Sequence, residues 1–554
     1  MPDALPQPLT APFARLLGQV WQDRVCRNLI LGGAALHLLL ALAFHLSPDE
    51  THYALYSVNL DWSYFDHPPL AGWLQWPFGQ LAQALGPVGK LPDLLMRIVP
   101  MACWVLSAWL VSALATRLYP QVPQVARVAL LLWLLSPMPH LLGLALVPDS
   151  ILMPIIVASM ACCWRLCEPG TARDTGHTTR HTPRRNSRNN TRLWLLLGLL
   201  LGLAGLSKYT AIFIGVGCAL ALLAAHGLRV LTWRGTWLAV LVAAILITPV
   251  IAWNASHDWI SLAYQSGHAA GNQSWEYYRV VVFVIVQWLG YGLLLVVGTR
   301  AARRVAAAPA GRVSPLLFCL CFGLPPLLLM VYLSGRGSTL PHWSVSAWLA
   351  LLPAAAAGCV QLWGAVRGGV GPGTPWRRWL AGLGIFQAVC CIGLIGLMLT
   401  SGFQYERGDE TSSRPGQQIA GASFNPFTDL YGWDAAALRA RALADQHGSP
   451  SLAVMNWTLA SRFAWYANRP TLVVQRHLDQ FGLWWGVLQP ADNALVVDWS
   501  QMSFAPPVGP AEFERCDLLE QMPVLRLGRQ VAHFSFQLCH NWQGPKESAL
   551  DRRK

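Results

Sequence analysis

Hydrophobic and polar positions along this chain are segregated into long blocks. Apolar runs at about 28 to 46, 94 to 116, 128 to 147, 149 to 166, 193 to 206, 209 to 226, 236 to 253, 280 to 298, 315 to 333, 343 to 363 and 379 to 400 are each long enough to cross a bilayer, or form tight pairs that nearly do. They predict a polytopic α-helical membrane protein of about eleven helices, with 11 to 13 the range set by how the tight pairs divide. Beyond residue 400 the blocks give way to short β-type runs, Ser451 to Met455, Thr471 to Gln475 and Ala494 to Asp498, interleaved with a helical stretch from Thr458 to Ala467. The chain therefore reads as a transmembrane domain, 1–400, followed by a small extracytoplasmic α/β domain, 401–554.

Composition agrees. A chain that is 54% hydrophobic and 12% charged carries more apolar surface than one soluble core absorbs. The net charge of +13 points to membrane topology, not to nucleic acid, because the arginines lie mostly in short segments between apolar runs. One set of connections holds Arg117, Arg127, the run from Arg173 to Arg192, Arg229, Arg234, Arg300 to Arg312 and Arg367 to Arg378, whereas the alternate set holds Lys90, Arg279 and Arg336. The basic set faces the cytoplasm, which places the amino terminus inside and everything beyond residue 400 outside. Residues 1 to 27 are too long and mixed for a signal n-region, so the first span is expected to be retained. Residues 171 to 192 read as a cytoplasmic linker without assigned function. Most of the thirteen cysteines lie in apolar runs as small hydrophobes, but Cys516 and Cys539 fall in the polar C-terminal region and can pair if it faces an oxidising compartment.

Charge then locates the chemistry. Between residues 28 and 400 there are ten acids, of which only Glu168 and Asp174 fall on the basic side, and four (Asp49, Glu50, Asp61 and Asp66) crowd into the loop 47–69. Ser47, Pro48 and Glu50 have the spacing of a helix start with a capping box, so Glu50 serves structure first and a Gln there is expected to be mild. Asp49 has no such duty, and helical spacing brings His52, Tyr53 and Tyr56 to its side. The run Asp66-His67-Pro68-Pro69 is stiffened by its prolines, as suits either a turn or a site that holds charge in place. Asp149, after Val147-Pro148, reads equally as a helix cap or as a functional intramembrane acid. Lys208, one of only four lysines among forty basic residues, interrupts an uncharged stretch; it either snorkels or meets an anion such as phosphate. Residues 253 to 279 mix aromatic rings with amides and acids, a composition of interfacial belts and of sugar sites alike; His268 there is a loop histidine or a metal ligand.

Taken together, Pro48-Asp49-Glu50, Tyr64-Phe65-Asp66-His67-Pro68-Pro69, Asp149, Ser207-Lys208, Pro341-His342-Trp343, Asp429-Leu430-Tyr431-Gly432-Trp433 and Ala460-Ser461-Arg462-Phe463-Ala464-Trp465-Tyr466 resemble bacterial GT-C glycosyltransferases of the protein O-mannosyltransferase and lipid A aminoarabinose-transferase type. The resemblance covers nearly the whole chain. It implies a GT-C fold in the bacterial inner membrane with a periplasmic C-terminal domain, and inverting transfer of a sugar from a polyprenyl-phosphate carrier to a lipid, glycan or protein acceptor. It implies Asp49 and Asp149 as catalytic acids, and Glu50, His52, Tyr53, Asp66, His67, Lys208, Tyr209 and His342 as substrate contacts. Asp66 and His268 correspond to family metal ligands, so a divalent metal is an expected cofactor and a nucleotide is not. The aminoarabinose enzymes carry Glu-Lys-Pro-Pro where this chain has Asp66-His67-Pro68-Pro69, and Arg-Tyr where it has His52-Tyr53. A secondary transporter is the main alternative and a sensor with an outer domain the next, although the acids gather on one face and no two repeated halves with broken helices are evident.

Reporter fusions after residues 185 and 420 are expected to report opposite compartments. A shared compartment would overturn the topology and the placement of the site.

Overall fold

The structure is a computed structural model that describes residues 13–86, 88–168, 190–270, 274–305, 313–337, 339–364, 375–403, 425–448, 451–474 and 478–544. Most of the 171–192 linker lies outside them. Arg24–Ala43, Lys90–Leu118, Pro148–Cys167, Tyr209–Thr232, Arg234–Ser256, Pro315–Ser334, Pro341–Gly364 and Trp376–Thr400 are helical segments long and apolar enough to cross a membrane. Two further runs are bent pairs: Val125–Leu134 with Pro137–Leu144, at 72°, and Tyr277–Tyr291 with Leu293–Arg304, at 87°. With the shorter apolar helix Thr191–Ser207, every run read from the sequence is accounted for. This is a multi-pass membrane protein.

The two bends have chemical causes and are joined. Pro137 restarts the helix after Ser136, and Gly292 takes φ +99°, a conformation costly for residues with a Cβ. Broken helices leave carbonyls without partners, which water cannot satisfy inside a bilayer. Ser136 Oγ donates to the Tyr291 carbonyl (2.7 Å), and Gln387 Nε2 donates to the Leu289 carbonyl (2.7 Å).

The connection after the first span contains two helices, Pro48–Val58 and Leu70–Leu85, of which the second was not anticipated. They cross closely because glycine permits it: a Cβ on Gly79 would fall 2.0 Å from Ser57 Oγ. Ser47 and Glu50 form the expected capping box, with Ser47 N donating to Glu50 Oε2 (2.9 Å). The remaining capacity of Glu50 goes to Arg97, buried in the Lys90–Leu118 helix, through bonds of 2.7 and 3.0 Å. Arg97 also donates to the carbonyls of Ala41 (3.0 Å), Phe44 (2.8 Å) and His45 (2.8 Å), which end the first span. One guanidinium thus joins the end of the first span to the start of the Asp49 helix.

The C-terminal region forms a five-stranded sheet in the order β2-β1-β3-β5-β4, from β1 Ser451–Val454, β2 Thr471–Val473, β3 Ala494–Trp499, β4 Phe513–Arg526 and β5 Arg529–Trp542. The pairs β1–β2 and β1–β3 are parallel, and β3–β5 and β4–β5 antiparallel. The first three strands match the sequence reading. The β4–β5 hairpin does not, because much of β4 is exposed and lacks an apolar run. Its turn uses Leu527 and Gly528, both at positive φ, and Cys516 stands opposite Cys539 and is disulfide-bonded to it. The domain seats its Trp457–Ala467 helix on Pro48–Val58. Tyr466 fixes that seat by donating to buried Asp93 (3.0 Å) and accepting from Leu46 N (2.9 Å).

The Arg97 clamp alters the expectation for Glu50. Gln would preserve the capping box but leave a buried guanidinium without its counter-charge, so Glu50→Gln and Arg97→Met are both expected to destabilise strongly. Breaking such a pair costs about 3–5 kcal/mol, to be read as reduced thermal stability and monodispersity in detergent. Unchanged melting of either variant would show that the clamp contributes little.

Candidate active site

The helix ends on the side of the C-terminal domain, together with that domain, enclose one cluster of ionisable groups. Asp49, at the second position of Pro48–Val58, is half-buried, and no hydrogen bond or ion pair engages its carboxylate among the described residues. Burial raises its pKa above the usual value, a shift opposed by His52, His67 and Arg462 and reinforced by Asp429. A carboxylate left free and made more basic is suited to accept a proton.

Asp66 is the opposite case. His52 Nε2 lies 3.3 Å from it, His67 Nδ1 lies 3.1 Å away, and the Tyr56 hydroxyl donates to it. Burial alone would raise its pKa, but the two histidines overcome that effect and hold it well below the ordinary range. The Tyr53 hydroxyl is 3.2 Å from His67 Nδ1 and lies within electrostatic reach of Asp66, Asp49 and Asp149.

Asp149 and Lys208 meet across two helix starts. Asp149 does not cap its helix; Val147 holds the cap position, and the Asp149 carboxylate instead accepts from Lys208 Nζ at 2.6 Å. His342 Nε2 stands 3.7 Å from the same oxygen. Ser207 Oγ locks the arrangement by donating to the Pro148 carbonyl (2.9 Å). Lys208 is therefore buried as half of an ion pair and does not snorkel. An ammonium has three donors, so two remain for a further anion. His342 is set by a polar support beneath it, in which Gln287 Nε2 donates to Pro341 O (3.0 Å) and Gln287 Oε1 accepts from Trp348 Nε1 (2.7 Å).

Not every residue singled out from the sequence joins the cluster. Glu50 is buried with both oxygens engaged by Arg97 and the capping box, which leaves no edge for a substrate and corrects its assignment as a contact. Tyr209 turns aside to Asn254, whose Nδ2 donates to its hydroxyl at 3.4 Å. The His268 side chain lies outside the described residues, and among those described no group of three His, Cys, Asp or Glu is placed to hold a metal.

Other groups were missed. Arg462 in Trp457–Ala467 is buried, ion-paired with Asp429 and stacked 3.9 Å over Trp433, and its charge reaches Asp49. Its signal was a lone charge in an otherwise uncharged helix. Trp457, Phe481 and Trp484, also from the C-terminal domain, surround His52 at centroid distances of 5.5, 5.8 and 6.3 Å. Gln265 donates to the Asp66 carbonyl (2.5 Å), and Ser261 to the Tyr64 carbonyl (2.5 Å), so the 253–279 segment supports the Asp66 turn from outside.

Fold and site together describe a membrane protein with an acidic and cationic cleft at one end of its helices, roofed by a sheet domain. A family model described as dolichyl-phosphate-mannose-protein mannosyltransferase matches residues 66–176 and 178–253. The structure is similar to that of ArnT from Cupriavidus metallidurans bound to undecaprenyl phosphate, at 16% identity with a TM-score of 0.53, and to the same protein in its apo state, at 16% with 0.51. Each alignment covers 92% of this chain and 97% of the other. No curated protein matches the sequence. These findings bear out the resemblance to GT-C glycosyltransferases of the mannosyltransferase and aminoarabinose-transferase type, and the structural match shows the fold.

Asp49 is expected to lose its proton at a higher pH than an ordinary aspartate, whose pKa is about 3.9. An infrared carboxylic-acid band that is absent from Asp49→Asn should persist above that value in the wild type. Its loss at or below the ordinary range would refute the raised value.

Proposed function

We propose that the protein is an integral-membrane glycosyltransferase that moves a hexosyl or pentosyl group from a polyprenyl-phosphate carrier to a lipid or glycan acceptor, or to a protein, on the face that carries the C-terminal domain. The arginine distribution supports that face being the one away from the cytoplasm, which by the family resemblance would be the periplasmic side of a bacterial inner membrane. The observation that carries the reading is the contrast within the cleft: Asp66 and Asp149 are committed to cationic or hydrogen-bonding partners, whereas Asp49 is free. The family match and the undecaprenyl phosphate bound by ArnT support a polyprenyl carrier.

The chemistry follows from that contrast. A sugar phosphate breaks its C1–O bond with both electrons leaving to the phosphate, which gains charge as the sugar gains oxocarbenium character. Lys208 offers its two remaining N–H donors to that phosphate, with His342 and His67 nearby. The acceptor hydroxyl attacks from the opposite side and passes its proton to Asp49. With one free carboxylate acting as base and no second free carboxylate to act as nucleophile among the described cleft residues, a single displacement with inversion results. An acceptor that is itself an ionised phosphate needs no proton removed, and Asp49 then orients it. The divalent metal expected from the resemblance would meet Asp66, whose oxygens already face His52, His67 and Tyr56; no step is assigned to it. Transport is not favoured, because all the cleft acids lie at one end of the helices and trace no path across.

Purified protein in liposomes with a synthetic polyprenyl-phosphate sugar and candidate lipid or glycan acceptors tests the proposal. Wild type should transfer sugar, Asp49→Asn should lower turnover by about 10²-fold or more, and Lys208→Met should raise the apparent KM for donor more than that for acceptor. Solute flux without sugar transfer from any such donor would refute it.

A further inference from the structure

A second cavity, of about 870 Å³, opens at the opposite, arginine-rich end of the helices. Its distance from the cleft is set by one helical segment: Pro341–Gly364 carries His342 at one end and Trp363 at the other, which is about 32 Å at 1.5 Å per residue. The size falls within the roughly 300–1,000 Å³ of small-ligand pockets.

The cavity arises from the two broken spans. Its deep wall includes Leu135, at the first bend, and Leu294, just past the second. Gly384 closes this wall, where a Cβ would make ordinary contact with both leucines at 3.9 and 4.0 Å, so only a side chain larger than alanine's would intrude on the cavity. Leu131, Leu132 and Leu380 continue the apolar wall toward the rim.

The rim is cationic and amide-rich. Arg304 and Arg377 line it, and among the described residues no acid does. Arg377 stacks 5.7 Å over Trp363, and its Nε is buried without an acceptor among the described residues. A buried guanidinium nitrogen without an acceptor is costly unless a ligand supplies one. Arg304 is exposed, and among the described residues it has no ion pair.

We infer that this cavity binds an anionic glycerophospholipid from the leaflet on the arginine-rich side, with its phosphate between Arg304 and Arg377 and an acyl chain running along Leu131 and Leu132 toward Gly384. An apolar slot beneath a pair of cations at membrane depth matches a lipid rather than a soluble anion, which would leave the slot unfilled. The inference stands independently of the catalytic reading, since none of these residues belongs to the cleft.

Native mass spectrometry of the full chain in detergent, titrated with phosphatidylglycerol or phosphatidylcholine of identical chains, tests it. One phosphatidylglycerol should be retained with about thirtyfold preference, the order expected for two arginines at a headgroup. R304Q/R377Q should abolish that preference while leaving phosphatidylcholine retention unchanged. R304Q alone, at an exposed position, should reduce the preference should the double variant be poorly folded. Gly384→Leu should lower occupancy by either lipid. Equal retention of the two lipids by wild type, or a preference that survives loss of the arginines, would overturn the proposal. Displacement by millimolar inorganic phosphate, or tenfold stronger retention of a polyprenyl phosphate, would equally overturn it by making the site one for a free anion or for the carrier.

Discussion

The Arg97 clamp is the interaction on which the rest of the cleft depends. Its guanidinium collects the last carbonyls of the first span and the carboxylate of Glu50, so that a helix end and a helix start become one rigid corner. Guanidinium suits this task because it presents five donors in a fixed plane, and an ammonium would not span the same set. Asp49 stands one residue before Glu50 and takes its position from that corner. The neighbouring contact of Tyr466 with Asp93 and Leu46 extends the corner to the C-terminal domain.

Around that corner the protein handles buried charge in two ways. Glu50, Asp149 and Asp429 each meet a cationic partner and Asp66 is hydrogen-bonded by two histidines and a tyrosine, which offsets the cost of removing them from water. Asp49 meets none directly, and burial raises its affinity for a proton. Neutralised neighbours make this arrangement stable, because four bare carboxylates in one low-dielectric cleft would repel one another. They also leave cations with spare donors: Lys208 carries two, and the histidines beside Asp66 supply ring nitrogens. The cleft is accordingly held together by the same groups that meet a phosphate.

The sheet domain is part of this cleft and not an appendage. Trp457, Phe481 and Trp484 wall in His52, Arg462 reaches toward Asp49, and Gln480 Oε1 accepts from Phe65 N at 2.7 Å beside the Asp66 turn. An excluded, aromatic surround strengthens each electrostatic interaction inside it.

Sequence by itself determined the membrane helices, the presence of a small C-terminal α/β region, the capping box at Ser47 and the gathering of acids near one end of the helices. These are local or statistical properties: twenty apolar residues must avoid water wherever they fold, and a Ser-Pro-x-Glu start satisfies its own backbone. It also singled out Asp49, Asp66, Asp149 and Lys208, because a charge next to a membrane is costly enough to be conspicuous. Tertiary structure alone decided which of those charges are neutralised. Glu50 looked like a cap and proved to be the counter-ion of Arg97, a charge hidden at the start of an apolar run; Lys208 looked isolated and proved to be held by Asp149, 59 residues away in sequence. The exposed β4 strand and the reach of Arg462 toward Asp49 were equally illegible. Partnership between buried ions depends on distances of a few ångströms between remote segments, and a linear pattern of hydrophobic and polar residues carries no information about those distances.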